Sequence, residues 1–222
     1  MTLSHDDISA LFVTAKLACI TTVVLLLVGT PLAWWVATTR WRLRFLVEAV
    51  VALPLILPPT VLGFYLLIAL GPKGPVGWFG NGTLAFSFTG LVVGSVIYSL
   101  PFVVQPLQNA FQSIGAAPLE NAAILGASPW DRFRSVVMPL SRPAFITASV
   151  LGFAHTVGEF GVVLMIGGNI PGETRVLSIA IYDHVDSLEY GAANSVALLL
   201  LIGSLLLLIP LYAFTRRARF LT

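Results

Sequence analysis

The feature that most constrains this chain is a series of long apolar stretches separated by short charged segments. A helix that crosses the roughly 30 Å of bilayer hydrocarbon needs about 20 largely apolar residues. Five stretches reach that length: 10–37, 45–70, 86–107, 144–166 and 192–214. Barrel strands need only about 9–11 residues and alternate in polarity, so helices are expected. Charged residues make up 10% of the chain and mean hydropathy is +0.93, whereas a soluble domain carries roughly 25% charge. The expected fold is an all-α integral membrane protein with five transmembrane helices, one domain over residues 1–222 whose soluble parts are too small for chemistry of their own.

The second stretch holds Pro54, Pro58 and Pro59. Each proline removes a backbone donor and clashes with the preceding turn, so this span should kink or split. Charge placement favours five crossings over six. Arg40, Arg42, Arg44, Arg132, Arg134, Arg142, Arg216, Arg217 and Arg219 all fall on one side if there are five. Only Lys16, Lys73 and Arg175 fall elsewhere. Asp6, Asp7, Glu173, Asp183, Asp186 and Glu189 occupy the other side. The basic side is cytoplasmic, which places the N-terminus outside and the C-terminus inside. The acidic opening does not read as a cleavable signal peptide. The single cysteine, Cys19, lies in an apolar run and reads as a packing residue. No internal repeat is visible, as an inverted-repeat secondary transporter would require.

The segment 109–142 is the longest polar stretch. It should form a short helix carrying Glu120, Ala122 and Ala123, ended by Gly126. A second helix should start after Ala127, with Ser128 as its N-cap, Pro129 at its first position, and Asp131 placed to reach back to the cap. Trp130 and Arg132 follow, with Phe133 beside the turn. Such a helical knob suits insertion into a partner's groove. It could equally lie as an amphipathic loop on the membrane surface.

The fourth stretch contains Gly152-Phe-Ala-His-Thr-Val-Gly-Glu-Phe-Gly161. Ionisable groups inside a span are costly and mark function by default. His155 and Glu159, with Gly158, Gly161, Pro58 and Pro59, are therefore candidates for a translocation path or gate. An interhelical hydrogen bond is the competing role for both ionisable residues. No Gly-rich phosphate loop occurs, so no cofactor or nucleotide is expected on this chain, and no metal or nucleic acid either. Beyond this stretch, Asn169, Pro171, Gly172, Glu173, Thr174 and Arg175 form a polar segment expected on the outer side, as a plain turn or a re-entrant piece.

The run Glu120-Asn121-Ala122-Ala123 with Gly126, followed by Pro139-Leu140, resembles the EAA loop of ABC-importer permeases. Asn121 stands where that pattern commonly has Ala. Gly158-Glu-Phe-Gly161, Asn169-Ile-Pro-Gly-Glu-Thr-Arg175 and Pro54-Leu-Ile-Leu-Pro-Pro59 resemble the molybdate-type permeases, over essentially the whole chain. Sulfate/thiosulfate and tungstate permeases share parts of these patterns. The resemblance implies a subunit that binds no cofactor and works as a homodimer in the bacterial inner membrane. It implies two cytoplasmic ABC ATPases docked on the loop residues Glu120, Ala122, Ala123 and Gly126 and the turn 127–132. It also implies a periplasmic molybdate-binding protein outside, with tungstate as a possible co-substrate. Apart from Lys16, no Lys or Arg lies within a span, which suits a weakly binding conduit more than a tight anion site. A stand-alone channel or secondary transporter is the competing class, with Glu159 as its one strong coupling candidate.

Overall fold

The computed structural model describes residues 3–79 and 82–219. The described residues form helices and no strand. They are α1 (His5–Thr38), α2 (Arg44–Ala52), α3 (Pro59–Leu70), α4 (Pro75–Phe79), α5 (Phe88–Ile114), α6 (Ala117–Ile124), α7 (Pro129–Arg132), α8 (Met138–Leu140), α9 (Arg142–Gly158), α10 (Gly161–Gly167), α11 (Leu177–Asp186) and α12 (Tyr190–Arg219). Four helical stretches are long and apolar enough to cross a membrane: α1, α3 continued through α4, α5 and α12. The fifth, α9, qualifies together with Pro129–Leu140, against which it bends by 74°.

Two expected spans are broken. The stretch 45–70 splits into α2 and α3, with a 3-10 turn at Leu53–Leu55 between them. Pro54 and Pro58 leave too few donors to carry an α-helix through. The stretch 144–166 does not run through either. α9 ends at Gly158, Glu159 is extended (φ −62°, ψ 136°), and α10 starts afresh at Gly161. The third expected span is longer than its apolar run. α5 starts at Phe88, capped by Ser87, and continues to Ile114, so residues 109–114 belong to a helix and not to the loop.

α1, α5 and α9 pack together as the centre. Leu25, Val103, Val104, Leu107 and Ala148 are fully buried there. Small residues allow the close approach, since lipid tails offer no hydrophobic drive between helices. A side chain on Gly152 of α9 would meet Val103 of α5 at 2.8 Å. α10 lies on α3, and α12 lies on α9 and α11. Half of the most apolar window of α5 (50%) is buried within the chain, against 11% for α12. α5 is therefore the axis of the subunit and α12 its outer wall.

The charges separate as the sequence suggests. Asp6, Asp7, Arg175, Asp183, His184 and Glu189 meet at one end through ion pairs. Arg40 and Arg132 line one cavity at the other. The terminal basic cluster Arg216, Arg217 and Arg219 lies in the last turns of α12, where only the backbone is described.

Candidate functional site

The two helix breaks meet. Gly161 opens α10 directly against the start of α3, where an added Cβ would lie 2.9 Å from Cβ of Pro59 and 3.4 Å from the backbone nitrogen of Thr60. Any larger residue would push the two half-helices apart. Beside this contact lies a cavity of about 530 Å³, bordered by Pro59, Thr60, Tyr98, His155, Gly158 and Glu159 among others. Of the expected path residues, all but Pro58 border it, and Pro58 caps α3 one position away.

Glu159 is 3% exposed, and its surroundings explain how a carboxylate survives there. Ser95 donates to Oε2 at 2.5 Å and Ser99 to Oε1 at 2.7 Å. The Ser178 hydroxyl of α11 donates to the Glu159 backbone carbonyl. That carbonyl is thereby diverted from a helical partner, one local cause of the break. His155 Nδ1 lies 3.6 Å from Oε1 and 2.9 Å from Ser99 Oγ. Proton counting orients the group: Ser99 has one proton, and it goes to the carboxylate. Thr156 spends its own on the Gly152 carbonyl. His155 is then the donor to Ser99 and carries its proton on Nδ1. Its ring stacks on Phe102 with centroids 3.9 Å apart and tilts against Tyr98 at 4.7 Å. The result is a polar patch of two hydroxyls, one imidazole and one carboxylate in an apolar bundle. It offers donors and an acceptor to a passing solute but no fixed cation.

Ser95, Ser99 and Ser178 are partners of Glu159 that sequence reading missed. Ser95 and Ser99 stand four apart, hence on one face of α5. Two hydroxyls at that spacing in an apolar run were the available signal.

The polar loop has the local geometry expected of it. Gly126 is left-handed (φ +83°), its N–H bonds to the Ala123 carbonyl, and the Ala127 N–H reaches back to Ala122. This is the Schellman ending that satisfies helix-end carbonyls. Ser128 then caps α7 in a reciprocal box with Asp131. Trp130 stacks on Phe133 at 5.9 Å. The tip is more apolar than the motif alone suggests: Ile124 is 83% exposed, Leu125 87% and Trp130 67%. Glu120, Ala123, Pro129 and Arg132 face a cavity behind the tip, and the Ala122 carbonyl takes part in the helix ending.

The segment 169–175 turns largely inward. The Asn169 side-chain amide donates to both oxygens of Asp183 at 3.0 and 2.9 Å. Arg175 Nε donates to the Asn169 side-chain oxygen at 2.7 Å, and its guanidinium lies 3.5 Å from Asp183 and 3.8 Å from Asp6. Thr174 is buried and bridges the Gly167 carbonyl and the Ile170 N–H. Only Pro171, Gly172 and Glu173 remain exposed. Nearby, His184 stands between Asp7 at 2.9 Å and Glu189 at 3.1 Å. Both neighbours only accept, so both ring nitrogens must donate. The Asp7 hydrogen bond foremost, helped by Glu189, raises the His184 pKa above its usual value. Among the described residues, no group of three His, Cys, Asp or Glu could hold a metal ion.

Comparison with known proteins fits this architecture. The family described as "Binding-protein-dependent transport system inner membrane component" matches residues 29–220. The chain is similar to the molybdenum transport system permease protein ModB of Azotobacter vinelandii, at 60% identity over 97% of both chains. It is 34% identical to the sulfate transport system permease protein CysT of Escherichia coli, covering 85% of this chain and 69% of that one. Among solved structures it superposes on a bacterial ABC transporter that imports the acidic polysaccharide alginate. That match has a TM-score of 0.78 and 20% identity, and covers 96% of this chain and 80% of that one, a likeness of fold. The chain thus belongs to the family of binding-protein-dependent transport system inner membrane components, and within it to the ModB-like permeases.

Proposed function

We propose that this chain forms the translocation path of an ATP-driven importer of molybdate, with tungstate as a co-substrate. The observation that carries the substrate is the 60% identity to a molybdenum transport permease over 97% of both chains, against 34% to the sulfate permease. The observation that supports the path is the meeting of two broken helices at a polar cavity. Broken spans leave backbone groups free to face a solute, and irregular backbone at membrane depth is tolerated where it lines a cavity.

One subunit hardly encloses a passage, so two copies pair around it in the bacterial inner membrane. The N-terminus is periplasmic and the tip Ile124–Arg132 cytoplasmic, by the arginine bias. A cytoplasmic ATPase seats on that tip, through Glu120, Ala122, Ala123 and Gly126 to Arg132. A periplasmic binding protein meets the outer end, where Pro171–Glu173 is the exposed part of the loop. With no cation on the path at the break, selectivity resides in that binding protein. The hydrolysis belongs to the ATPase.

The test is uptake into vesicles holding the permease, its ATPase and its binding protein. Molybdate uptake that requires ATP and the binding protein, and is displaced by tungstate more readily than by sulfate, is the expected result. Better competition by sulfate than by tungstate would move the chain to the sulfate branch. Uptake driven by a proton gradient without ATP would make it a secondary transporter.

A further inference from the structure

We propose that His155 is the residue that contacts the anion in the path, and that it does so as an imidazolium formed, for the time of passage, against the Glu159 carboxylate. This rests on the reading of the cavity of about 530 Å³ as the path. Nδ1 of His155 is committed to Ser99, which in turn donates to Glu159. The ring cannot turn away, because it stacks on Phe102 and tilts against Tyr98. Nε2 has no partner among the described residues, and the residue borders the cavity. Tyr98 and Thr60 border it too, with hydroxyls that are likewise unbonded among the described residues. The Glu159 side chain is fully buried, whereas that of His155 is 20% exposed. A solute in the cavity therefore reaches the imidazole and not the carboxylate behind it.

A deprotonated oxyanion has acceptors only. With its one proton on Nδ1, His155 presents a bare Nε2 that such a solute cannot bond. One proton bound at Nε2, drawn from the solution in the path, turns that lone pair into an N–H donor and the ring into a cation. The proton returns to solution when the anion leaves. The charge arises 3.6 Å from Oε1 of Glu159, and Ser95 and Ser99 already fix both carboxylate oxygens. The counter-charge is thus in place before the cation forms. The titratable groups facing the ring are Glu159 of its own helix and Tyr98 of α5, while α3 brings Pro59 and Thr60 to the cavity. Among the described residues no ion pair reaches it from α1, α3, α11 or α12. Imidazole is the side chain that ordinarily changes charge near neutral pH. A cation of this kind draws an anion in and does not hold it, as a conduit requires.

The experiment uses vesicles holding the permease, its ATPase and its binding protein saturated with molybdate, and reads uptake per ATP hydrolysed between about pH 6 and 8. The parent should lose about tenfold as pH rises over that range, the loss of one hydrogen bond to a charged group. His155→Asn keeps a donor where Nδ1 stands and removes Nε2, so it should show the low value at every pH. Glu159→Gln removes the counter-charge and should move the parent's fall to lower pH. Stimulation of the ATPase by the loaded binding protein should persist in both variants. Its loss together with uptake would make His155 a structural residue and overturn the inference, as would parent-like uptake and pH slope in His155→Asn. An unshifted profile in Glu159→Gln would overturn the part given to the carboxylate. Gly158→Leu tests the reading beneath, because a side chain there meets no atom within 4 Å and enters the cavity. If it stops uptake and His155→Asn does not, the path stands and the role of His155 falls. If uptake continues past the added side chain, the path reading itself falls.

Discussion

The acidic end and the basic end of this subunit treat polar groups in opposite ways. At the acidic end the central groups pair with one another: Asn169, Arg175 and Asp183 close together, and His184 sits between Asp7 and Glu189. At the basic end, among the described residues, Arg40 and Arg132 have no ion pair, and Ile124, Leu125 and Trp130 are largely exposed. An end that satisfies itself resists deformation, and an end with exposed apolar tips and unpaired cations is open to the partner proposed for it. The difference teaches that motif residues in two polar, glycine-rich loops can have opposite surroundings, one set bonded within the chain and one exposed.

Substitution at the projecting tip breaks the comparison most directly. Ile124→Ser with Leu125→Ser should leave thermal stability unaltered, because neither side chain is buried. It should weaken co-purification of the ATPase on the order of 100-fold, as loss of two interface anchors does. An unaltered yield of ATPase from detergent would remove the docking role of this tip. Asn169→Ala at the other end should act in reverse. It strips Asp183 and Arg175 of their shared partner and should cost about 1.5–3 kcal/mol of stability, the range for hydrogen bonds to charged groups. Thermal unfolding of the purified complex measures it. Unaltered stability would mean that the segment is not a structural knot.

A smaller effect comes from pH. The folded His184 has a raised pKa relative to an unfolded value of 6.5, so its protonated form stabilises the fold. That contribution is complete below about 6.5 and is lost as pH rises through the higher folded value. The unfolding temperature should therefore fall across that window in the parent protein and stay flatter in His184→Gln. Identical slopes would show that the imidazolium does not hold α1 to α11. Smallest of all should be Ser128→Ala, which removes an exposed cap worth about 1 kcal/mol. Faster amide exchange confined to 128–132, with global unfolding unaltered, is the expected readout.

Much of this was legible in the sequence because it is local. Gly126, Ser128, Pro129 and Asp131 specify their turn within a few residues, and the structure has that turn. The long apolar runs of α1, α5 and α12 likewise announce themselves. The prolines foretold the break before α3. The break at Glu159 was not legible, since nothing in Gly158-Glu-Phe-Gly161 forbids a helix. It depends on Ser178 and on the two serines of α5, residues 19, 64 and 60 positions away. The inward turn of Arg175 was missed for the same reason. Its partner Asp183 lies eight residues on in α11, and a lone arginine in an outer loop looks free.

The bond between His184 and Asp7 joins residues 177 positions apart, and Leu177 bonds to Thr14 across 163. α1 is made first, and its bonds to α11 form only once that helix exists. At roughly 5–20 residues per second of synthesis, its polar face at Asp7 and Thr14 waits on the order of 10–30 s for partners that do not yet exist. During that interval Asp7 keeps its local bonds to Ser4, and Thr14 its bond to the Ala10 carbonyl. The outer end of α1 is therefore closed late in synthesis, by the penultimate helix.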